Sequence, residues 1–330
     1  MRRILIFGCL FFLICACASD AKPVTAAQTP DASAHAVTES PTVLTASIDA
    51  PDASPSALPG GAPASTDPVP EEGLCGNRFP DRFSDAPVLT ENRYRSKSID
   101  VTVTRYTEKD TYAKIATYYV ADIYVQNVTS IKTAAARGDF NTRYTRYVKD
   151  IASDLGALLA IDGDSYTHVK NSFVIRNGEL YRDTLIEDTD LCVLYRDGRM
   201  ETKKWGTFEK QEIIDSDPWQ VWGFGPALLD ENGKAMQISH ALSGHNPRAA
   251  IGYYEPGHYC FVIVDGRREG WSEGMRLNAL SQLMEDLGCK AAYNLDGGAS
   301  AQMYWNGDII NSICGKNRTI SDIIYLLPET

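Results

Sequence analysis

Two short segments of the sequence place an aspartate before glycine at the end of an apolar run. The first, residues 265–267, reads Asp-Gly-Arg, and the second, residues 296–298, reads Asp-Gly-Gly. Glycine allows a ligand to come close to the backbone, and consecutive N–H groups in such a turn can point at an anion. Either segment alone is more typical of a plain turn. The candidate catalytic carboxylates are Asp265 and Asp296, and the candidate anion donors are the N–H groups of Gly297 and Gly298.

Three arginines have positions that suit an anionic ligand. Arg248 lies in the run NPRAAIG, Arg267 follows the first Asp-Gly pair, and Arg318 precedes the last predicted strand. A guanidinium group binds phosphate through two parallel hydrogen bonds and stays protonated, so it suits a phosphate site. An anion site in this chain needs such positive side chains all the more, because the chain carries a formal net charge of −11, which repels anions at long range. A solvated or salt-bridged arginine is the structural alternative at each position.

Three other polar side chains lie near these segments. Ser300 and Asn311 could donate hydrogen bonds to sugar hydroxyls or phosphate, although each could equally stabilise a turn. His245 stands beside the arginine run and could serve as an acid or a base, with a structural histidine as the alternative. The cysteines of the C-terminal part show none of the paired spacings that mark a zinc site.

The hydrophobic pattern predicts the strands and hairpins that surround these residues. Alternation of apolar and polar residues over 119–126 predicts a half-buried strand. Two Asn-Gly dipeptides, in 173–181 and 302–311, predict hairpins because Asn and Gly tolerate the positive φ angles of the tight turn. The middle of the chain is therefore expected to be rich in strands.

The C-terminal third predicts a βαβ unit. An apolar run at 259–264 precedes a helical face at 277–287, which Gly288 terminates, and a second apolar run follows at 291–295. Such a crossover makes the two strands parallel, so both candidate aspartates would leave the sheet at its carboxyl edge, where ligands bind. We predict an α+β or mixed α/β fold, a strand-rich single domain with this unit and hairpins.

The N-terminal part predicts export and a lipid anchor. Two arginines precede a short apolar run, which is typical of a signal peptide over residues 1–16. The residues before Cys17 fit the pattern that a bacterial lipoprotein signal peptidase reads; an ordinary cleaved signal is the alternative. Residues 17–73 are rich in Ala, Pro, Ser and Thr and predict a disordered stalk before a domain at 74–330. We expect an extracytoplasmic protein that contacts the membrane only through this anchor.

Several motifs together resemble the phosphodiester glycosidase family, the family of the uncovering enzyme N-acetylglucosamine-1-phosphodiester alpha-N-acetylglucosaminidase. The runs that carry the resemblance are, in the order in which the family has them, AIDGDSY (160–166), VIRNGELYR (174–182), WGFGPALLDENGK (222–234), NPRAAIG (246–252), VDGR (264–267) and NLDGGAS (294–300). The likeness extends over about residues 100–327. It identifies the chain as a bacterial lipoprotein member of that family.

The resemblance implies hydrolysis of the C1–O bond of a sugar that is linked through phosphate to another group. Asp265 and Asp296 would stabilise positive charge on the sugar, as nucleophile or base, and the three arginines and the two glycine N–H groups would bind the phosphate. Asp162 or Asp164 could share the catalytic role or hold a divalent cation; no other cofactor is implied. The partner is a carbohydrate phosphate, and the excess of 43 acidic over 32 basic residues argues against nucleic acid.

One departure from the family pattern keeps two other functions open. Asp162 stands where the family usually has asparagine, so a hydrogen-bond donor is replaced by a carboxylate. The first alternative is a non-catalytic lipoprotein that binds cell-wall glycan phosphates. The second is a glycosyl-phosphate transferase, which would pass the same intermediate to a sugar acceptor. Product analysis with and without an acceptor distinguishes all three.

Overall fold

A computed structural model describes Cys75 and residues 78–168, 172–239 and 243–329. The predicted signal peptide, the lipidation site Cys17 and the predicted stalk lie outside the described residues, and so does the predicted start of the domain. In the part of the chain that is described, no helix is both long enough and apolar enough to cross a membrane.

The described residues form seventeen strands and three α-helices. In chain order the strands are β1 (Val88–Leu89), β2 (Arg93–Arg95), β3 (Ile99–Lys109), β4 (Ile115–Val125), β5 (Lys132–Ala135), β6 (Leu159–Asp162), β7 (Phe173–Arg176), β8 (Glu179–Asp183), β9 (Leu191–Tyr195), β10 (Met200–Lys203), β11 (Pro218–Trp222), β12 (Arg248–Glu255), β13 (His258–Val264), β14 (Ala291–Asn294), β15 (Met303–Trp305), β16 (Asp308–Ile309) and β17 (Asp322–Leu326). The helices are α1 (Val148–Asp154), α2 (Lys210–Asp215) and α3 (Leu277–Asp286).

The strands form three antiparallel sheets. The first has the order β1-β2-β3-β4-β13-β12-β14, the second β10-β9-β11-β7-β8, and the third β16-β15-β6-β17-β5. The fold is therefore mostly β, and our prediction of a balanced α+β or mixed α/β fold was correct only in its richness in strands and hairpins.

The predicted βαβ unit is present, but its two strands, β13 and β14, are not neighbours in the sheet. Strand β12 lies between β13 and β14 and pairs antiparallel with both, so that Ala250 is opposite Val262 on one side and Asn294 on the other. Because β13 and β14 both run opposite to β12, they still point the same way. Their carboxyl ends, and Arg248 at the start of β12, consequently meet at one edge of the first sheet.

The predicted hairpins and the C-terminal helix are confirmed. The first hairpin joins β7 and β8 through Asn177 and Gly178, which have φ angles of 52° and 82°, and the second joins β15 and β16. Helix α3 ends just before Gly288, which has a φ angle of 82°. Positive φ is the conformation that glycine and asparagine adopt most readily, so these turns follow from local sequence.

Two clusters of buried apolar side chains support the strand ends that carry the site. The largest cluster of buried apolar side chains draws residues from all three sheets, among them Ile161, Trp222 and Phe261. On the other face of the first sheet, α3 packs Leu280 and Met284 into a second cluster with residues of β12 and β13. The strand ends that carry the site are therefore anchored on both faces of the sheet.

Candidate active site

A cavity of about 540 Å³ lies at strand ends from all three sheets. Its walls come from the segments after β6, after β11 and after β14, and from the start of β12. The predicted site residues that line it are Asp164, Arg248, Arg267, Asp296, Gly297, Gly298 and Arg318. The predicted site residues that lie outside its lining are Asp162, His245, Asp265, Ser300 and Asn311.

Asp296 is the carboxylate at the cavity wall that follows β14. It is 7% exposed, Oδ2 accepts a hydrogen bond of 3.1 Å from Nη2 of Arg318, and Oδ1 accepts one of 2.9 Å from the N–H of Gly297. Burial raises the pKa of Asp296, while Arg318, the hydroxyl of Ser300 and that N–H limit the rise. The side chain is thus a desolvated carboxylate with one guanidinium partner.

Three guanidinium groups line the same cavity. Nε of Arg248 donates to the carbonyl of Met275 at 3.0 Å, and Arg267 donates from Nε and Nη2 to Oδ1 of Asn246 at 3.1 and 2.7 Å. Burial, together with repulsion from Arg267, lowers the pKa of Arg248 to about 10, so it remains protonated at neutral pH. An anion bound between these groups would relieve that repulsion.

The two glycine N–H groups do not fit their predicted role. The N–H of Gly297 donates to Asp296, and the N–H of Gly298 donates to the carbonyl of Pro247 at 3.0 Å. Both donors stabilise the turn itself, since each already has a backbone or side-chain acceptor. In this geometry the phosphate would be bound by the guanidinium side chains that line the cavity.

Asp164 belongs to a buried charge network that the sequence analysis missed. Fully buried Arg176 donates from Nη2 to Oδ2 of Asp164 at 3.2 Å and from Nε to Oδ2 of Asp322 at 2.9 Å. The N–H of Gly223 donates to the same oxygen of Asp164 at 2.8 Å. This carboxylate is therefore held rigidly in the cavity wall. Arg176 lay within one of the family-like runs, but nothing local distinguished it from a surface arginine.

Asp265 has a structural role, because its side chain connects neighbouring segments through hydrogen bonds. Its side chain is fully buried, Oδ1 accepts hydrogen bonds from Nδ2 of Asn311 at 3.0 Å and from the N–H of Ser312 at 2.9 Å, and Oδ2 accepts one from Nε1 of Trp271 at 2.8 Å. Asn311 in turn accepts from the N–H of Met303. These contacts join three chain segments outside the cavity, which does not fit the catalytic and ligand-binding roles that we predicted for Asp265 and Asn311.

Asp162 and Ser300 lie behind the cavity wall. Asp162 is fully buried, and its Oδ1 accepts a hydrogen bond of 3.0 Å from the N–H of Gln302. Burial raises the pKa of Asp162 well above its usual range, and the charge of Asp296 raises it further. Burial and the neighbouring charge of Asp296 thus both favour the neutral form of this carboxyl group.

His245 lies outside the cavity, and no metal cluster accompanies the site. Its Nε2 is 3.3 Å from Oδ2 of Asp110, and Arg276 donates to its Nδ1 at 3.5 Å. Across the described ranges, no three His, Cys, Asp or Glu side chains are grouped so that they could hold a metal ion. The predicted cation-binding role of Asp162 or Asp164 would therefore need ligands of another kind.

The cavity also has an apolar wall that was not predicted from the sequence. Tyr166, Phe173, Phe224 and Leu277 line the same cavity as the charged groups. The loop after β11 contributes Phe224 and is attached to β14 by a hydrogen bond of 2.7 Å from Nδ2 of Asn294 to the carbonyl of Gly225. Aromatic faces beside polar side chains are typical of sites that bind sugar rings.

A model of the phosphodiester glycosidase family matches residues 155–327, which include all the residues that line the cavity. The chain belongs to the phosphodiester glycosidase family. It is 27% identical over 260 residues to the SPbeta prophage-derived uncharacterized protein YomE of Bacillus subtilis, covering 72% of this chain and 39% of that protein. The chain thus spans about two fifths of the length of this curated relative.

Solved structures share the fold of this family member. The catalytic domain of zebrafish N-acetylglucosamine-1-phosphodiester alpha-N-acetylglucosaminidase, auto-inhibited by its pro-peptide, matches with a TM-score of 0.59 at 18% identity, covering 71% of this chain and 85% of that one. A hypothetical protein from Synechocystis matches with a TM-score of 0.55 at 14% identity, covering 70% and 62%. At these identities the likeness establishes the fold.

Proposed function

We propose that this protein hydrolyses a sugar-1-phosphodiester, with the sugar and the phosphate bound in the cavity between the three sheets. The observation that carries the proposal is the lining of one cavity by a desolvated carboxylate, Asp296, and by the guanidinium groups of Arg248, Arg267 and Arg318. Membership of the phosphodiester glycosidase family supports the same reaction class.

The phosphate is assigned to the guanidinium groups. Arg248 donates hydrogen bonds to backbone carbonyls, and the positive charge of Arg267 repels it. A bound phosphodiester would reduce this repulsion and so stabilise both arginines. The aromatic wall formed by Tyr166, Phe173 and Phe224 lies in the same cavity and packs against the sugar ring. This arrangement binds an anion although the protein as a whole is acidic.

The chemical step follows from the two carboxylates that line the cavity. As the C1–O bond breaks, its electron pair goes to the bridging phosphate oxygen, and the aglycone leaves as a phosphomonoester. Asp296 stabilises the positive charge that develops on the sugar, either as a nucleophile or as the base that activates water. Water supplies the new hydroxyl at C1. Asp164, fixed by Arg176, orients the sugar through hydrogen bonds to its hydroxyl groups.

The experiment is a screen of sugar-1-phosphodiesters with identification of the products. We expect equal amounts of free sugar and phosphomonoester from the wild-type protein. Binding without release of product would contradict the hydrolase proposal and would favour a glycan-phosphate-binding protein. Transfer of the sugar only when an acceptor is added would indicate a transferase.

We also propose that the domain is extracytoplasmic and tethered by lipid at Cys17. The support is the N-terminal sequence, in which a short apolar run leads into a small residue and cysteine. Labelling with radioactive palmitate in a bacterial host should mark the wild-type chain and leave Cys17→Ser unlabelled. Equal labelling of the two chains, or of neither, would contradict the anchor without affecting the enzymatic proposal.

A further inference from the structure

A second cleft adjoins the cavity described above. It has a volume of about 360 Å³ and is lined by Asn141, Arg143, Ser172, Arg182, Asp183 and Thr184. Ser172 lines the second cleft and the main cavity alike. The main cavity and the second cleft therefore meet at this residue.

Arg182 is fixed between the two spaces. It donates from Nε to the carbonyl of Phe140 at 3.3 Å and from Nη2 to the carbonyl of Thr142 at 3.2 Å. Its Nη1 donates to the carbonyl of Tyr166 at 3.1 Å and to the hydroxyl of Ser172 at 3.3 Å. Neutral oxygens hold the guanidinium group in position but leave its charge uncompensated.

The second cleft is electropositive. Among the ion pairs formed within the described part of the chain, none involves Arg143 or Arg182. The carboxylate of Asp183, the acidic residue of the lining, pairs with Lys210 instead. Arg143 is exposed and Arg182 is half-buried, so the cleft offers one solvent-exposed guanidinium group and one that hydrogen bonds hold in place. On a chain with a net charge of −11, such a local concentration of positive charge indicates an anionic ligand.

We propose that the second cleft binds a further phosphate group of the same substrate chain. The substrate class is then an oligomer with successive phosphodiesters, such as a phosphate-linked glycan or polyol chain, in which one linkage is cleaved and the next is held by Arg143 and Arg182. This inference rests on the proposed function of the main cavity, because it assigns the reacting linkage to that cavity.

The test compares two non-hydrolysable ligands, in which a methylene group replaces the bridging oxygen at C1. The first is a sugar-1-phosphonate ester of glycerol, and the second carries an additional phosphate on the terminal glycerol hydroxyl. Calorimetry should show roughly tenfold tighter binding of the second ligand to the wild-type protein, as one charge-assisted contact provides. Arg143→Ala should remove that gain and leave the affinity for the first ligand unchanged.

The control is Arg199→Ala, which removes another exposed guanidinium group, from the β9–β10 hairpin. This variant should keep the tenfold preference. Equal affinity of the wild-type protein for the two ligands would overturn the inference. An equal loss of the tenfold preference in both arginine variants would also overturn it, because that loss would reflect only the overall electrostatic field of the protein. If the preference is present but no diester is hydrolysed, the proposed function fails while the second phosphate site stands.

Discussion

The two Asp-Gly turns of this protein have similar sequences and similar positions, but their aspartates have different surroundings. Both follow strands that point the same way in the first sheet, and both lie at the same sheet edge. Asp265 receives three hydrogen bonds from Asn311, Ser312 and Trp271 and lies outside the cavity. Asp296 lines the cavity and is paired with Arg318.

The difference comes from the segments that pack on each turn. Residues 311–312 and the indole of Trp271 cover the first aspartate, and they satisfy its lone pairs inside the protein. The second aspartate lines a cavity that no segment among the described residues fills, with a partly exposed arginine beside it. A carboxylate whose hydrogen bonds are complete supports the fold, whereas one at the wall of a cavity is available to a ligand.

The largest expected effect separates the two turns by activity. Asp296→Asn should lower kcat by roughly 10³-fold or more, because a neutral amide can neither act as a base nor stabilise a cationic sugar. Asp265→Asn should change kcat by less than about threefold, since its side chain lies outside the cavity. Steady-state kinetics with a sugar-1-phosphodiester measure both. A larger loss of kcat in Asp265→Asn than in Asp296→Asn would assign the catalytic role to Asp265 instead.

The second effect separates the turns by stability. Asp265→Asn leaves at least one buried donor without an acceptor, because an amide nitrogen cannot accept from the indole of Trp271. We expect a loss of about 1–3 kcal/mol in the free energy of unfolding. Asp296→Asn should lose less, since its partner Arg318 has a side chain that is 45% exposed and can turn to solvent. Urea unfolding of the two variants provides the comparison, and equal losses would contradict it.

A third, smaller effect concerns the pH dependence of the activity that we assign to Asp296 in the second turn. The proposed mechanism uses ionised Asp296, so the activity should fall as the pH drops through the pKa of this group. Arg318 lowers that pKa, and Arg318→Ala should therefore move the acidic limb of the kcat profile to higher pH. Because the pair is partly exposed, solvent screening limits the size of this shift. The profile of Asp265→Asn serves as the control and should keep the wild-type limb.

An unchanged acidic limb in Arg318→Ala would remove Asp296 as the titrating group. A lower affinity for substrate without any change in the limb would leave Arg318 with a role in phosphate binding only. The two outcomes are separated by measuring kcat and KM over the same pH range.

Local sequence predicted the parts of this fold that depend on neighbouring residues. The hairpins at Asn177 and Asn306 and the end of α3 at Gly288 were predicted because each depends on φ angles set within a few residues. The position of β12 between β13 and β14 was missed, since strand pairing is decided by distant segments. Asp265 and Asp296 could not be told apart for the same reason: Asn311 and Arg318 reach them through tertiary packing.

The smallest expected effect comes from substitutions at the third residue of each turn. Arg267 and Gly298 both have left-handed backbone conformations, with φ angles of 56° and 65°, yet the first turn keeps an arginine there. A side chain in this region costs about 1–2 kcal/mol relative to glycine. The unfolded chain gains about 0.4–1 kcal/mol of conformational entropy when glycine replaces it. The two effects oppose each other, so Arg267→Gly should change the free energy of unfolding by no more than about 1.6 kcal/mol.

In the proposed function, an arginine is retained in this conformation for its side chain, which lines the cavity and repels Arg248. Arg267→Gly should lower kcat/KM by roughly tenfold, mainly through a higher KM, because one charge-assisted contact to the phosphate is lost. Gly298→Ala is the matched variant of the second turn: its added Cβ would lie 3.4 Å from Nη2 of Arg267 and crowd the same guanidinium group. Unchanged kcat/KM in Arg267→Gly would mean that the arginine serves the turn and that Arg248 and Arg318 bind the phosphate without it.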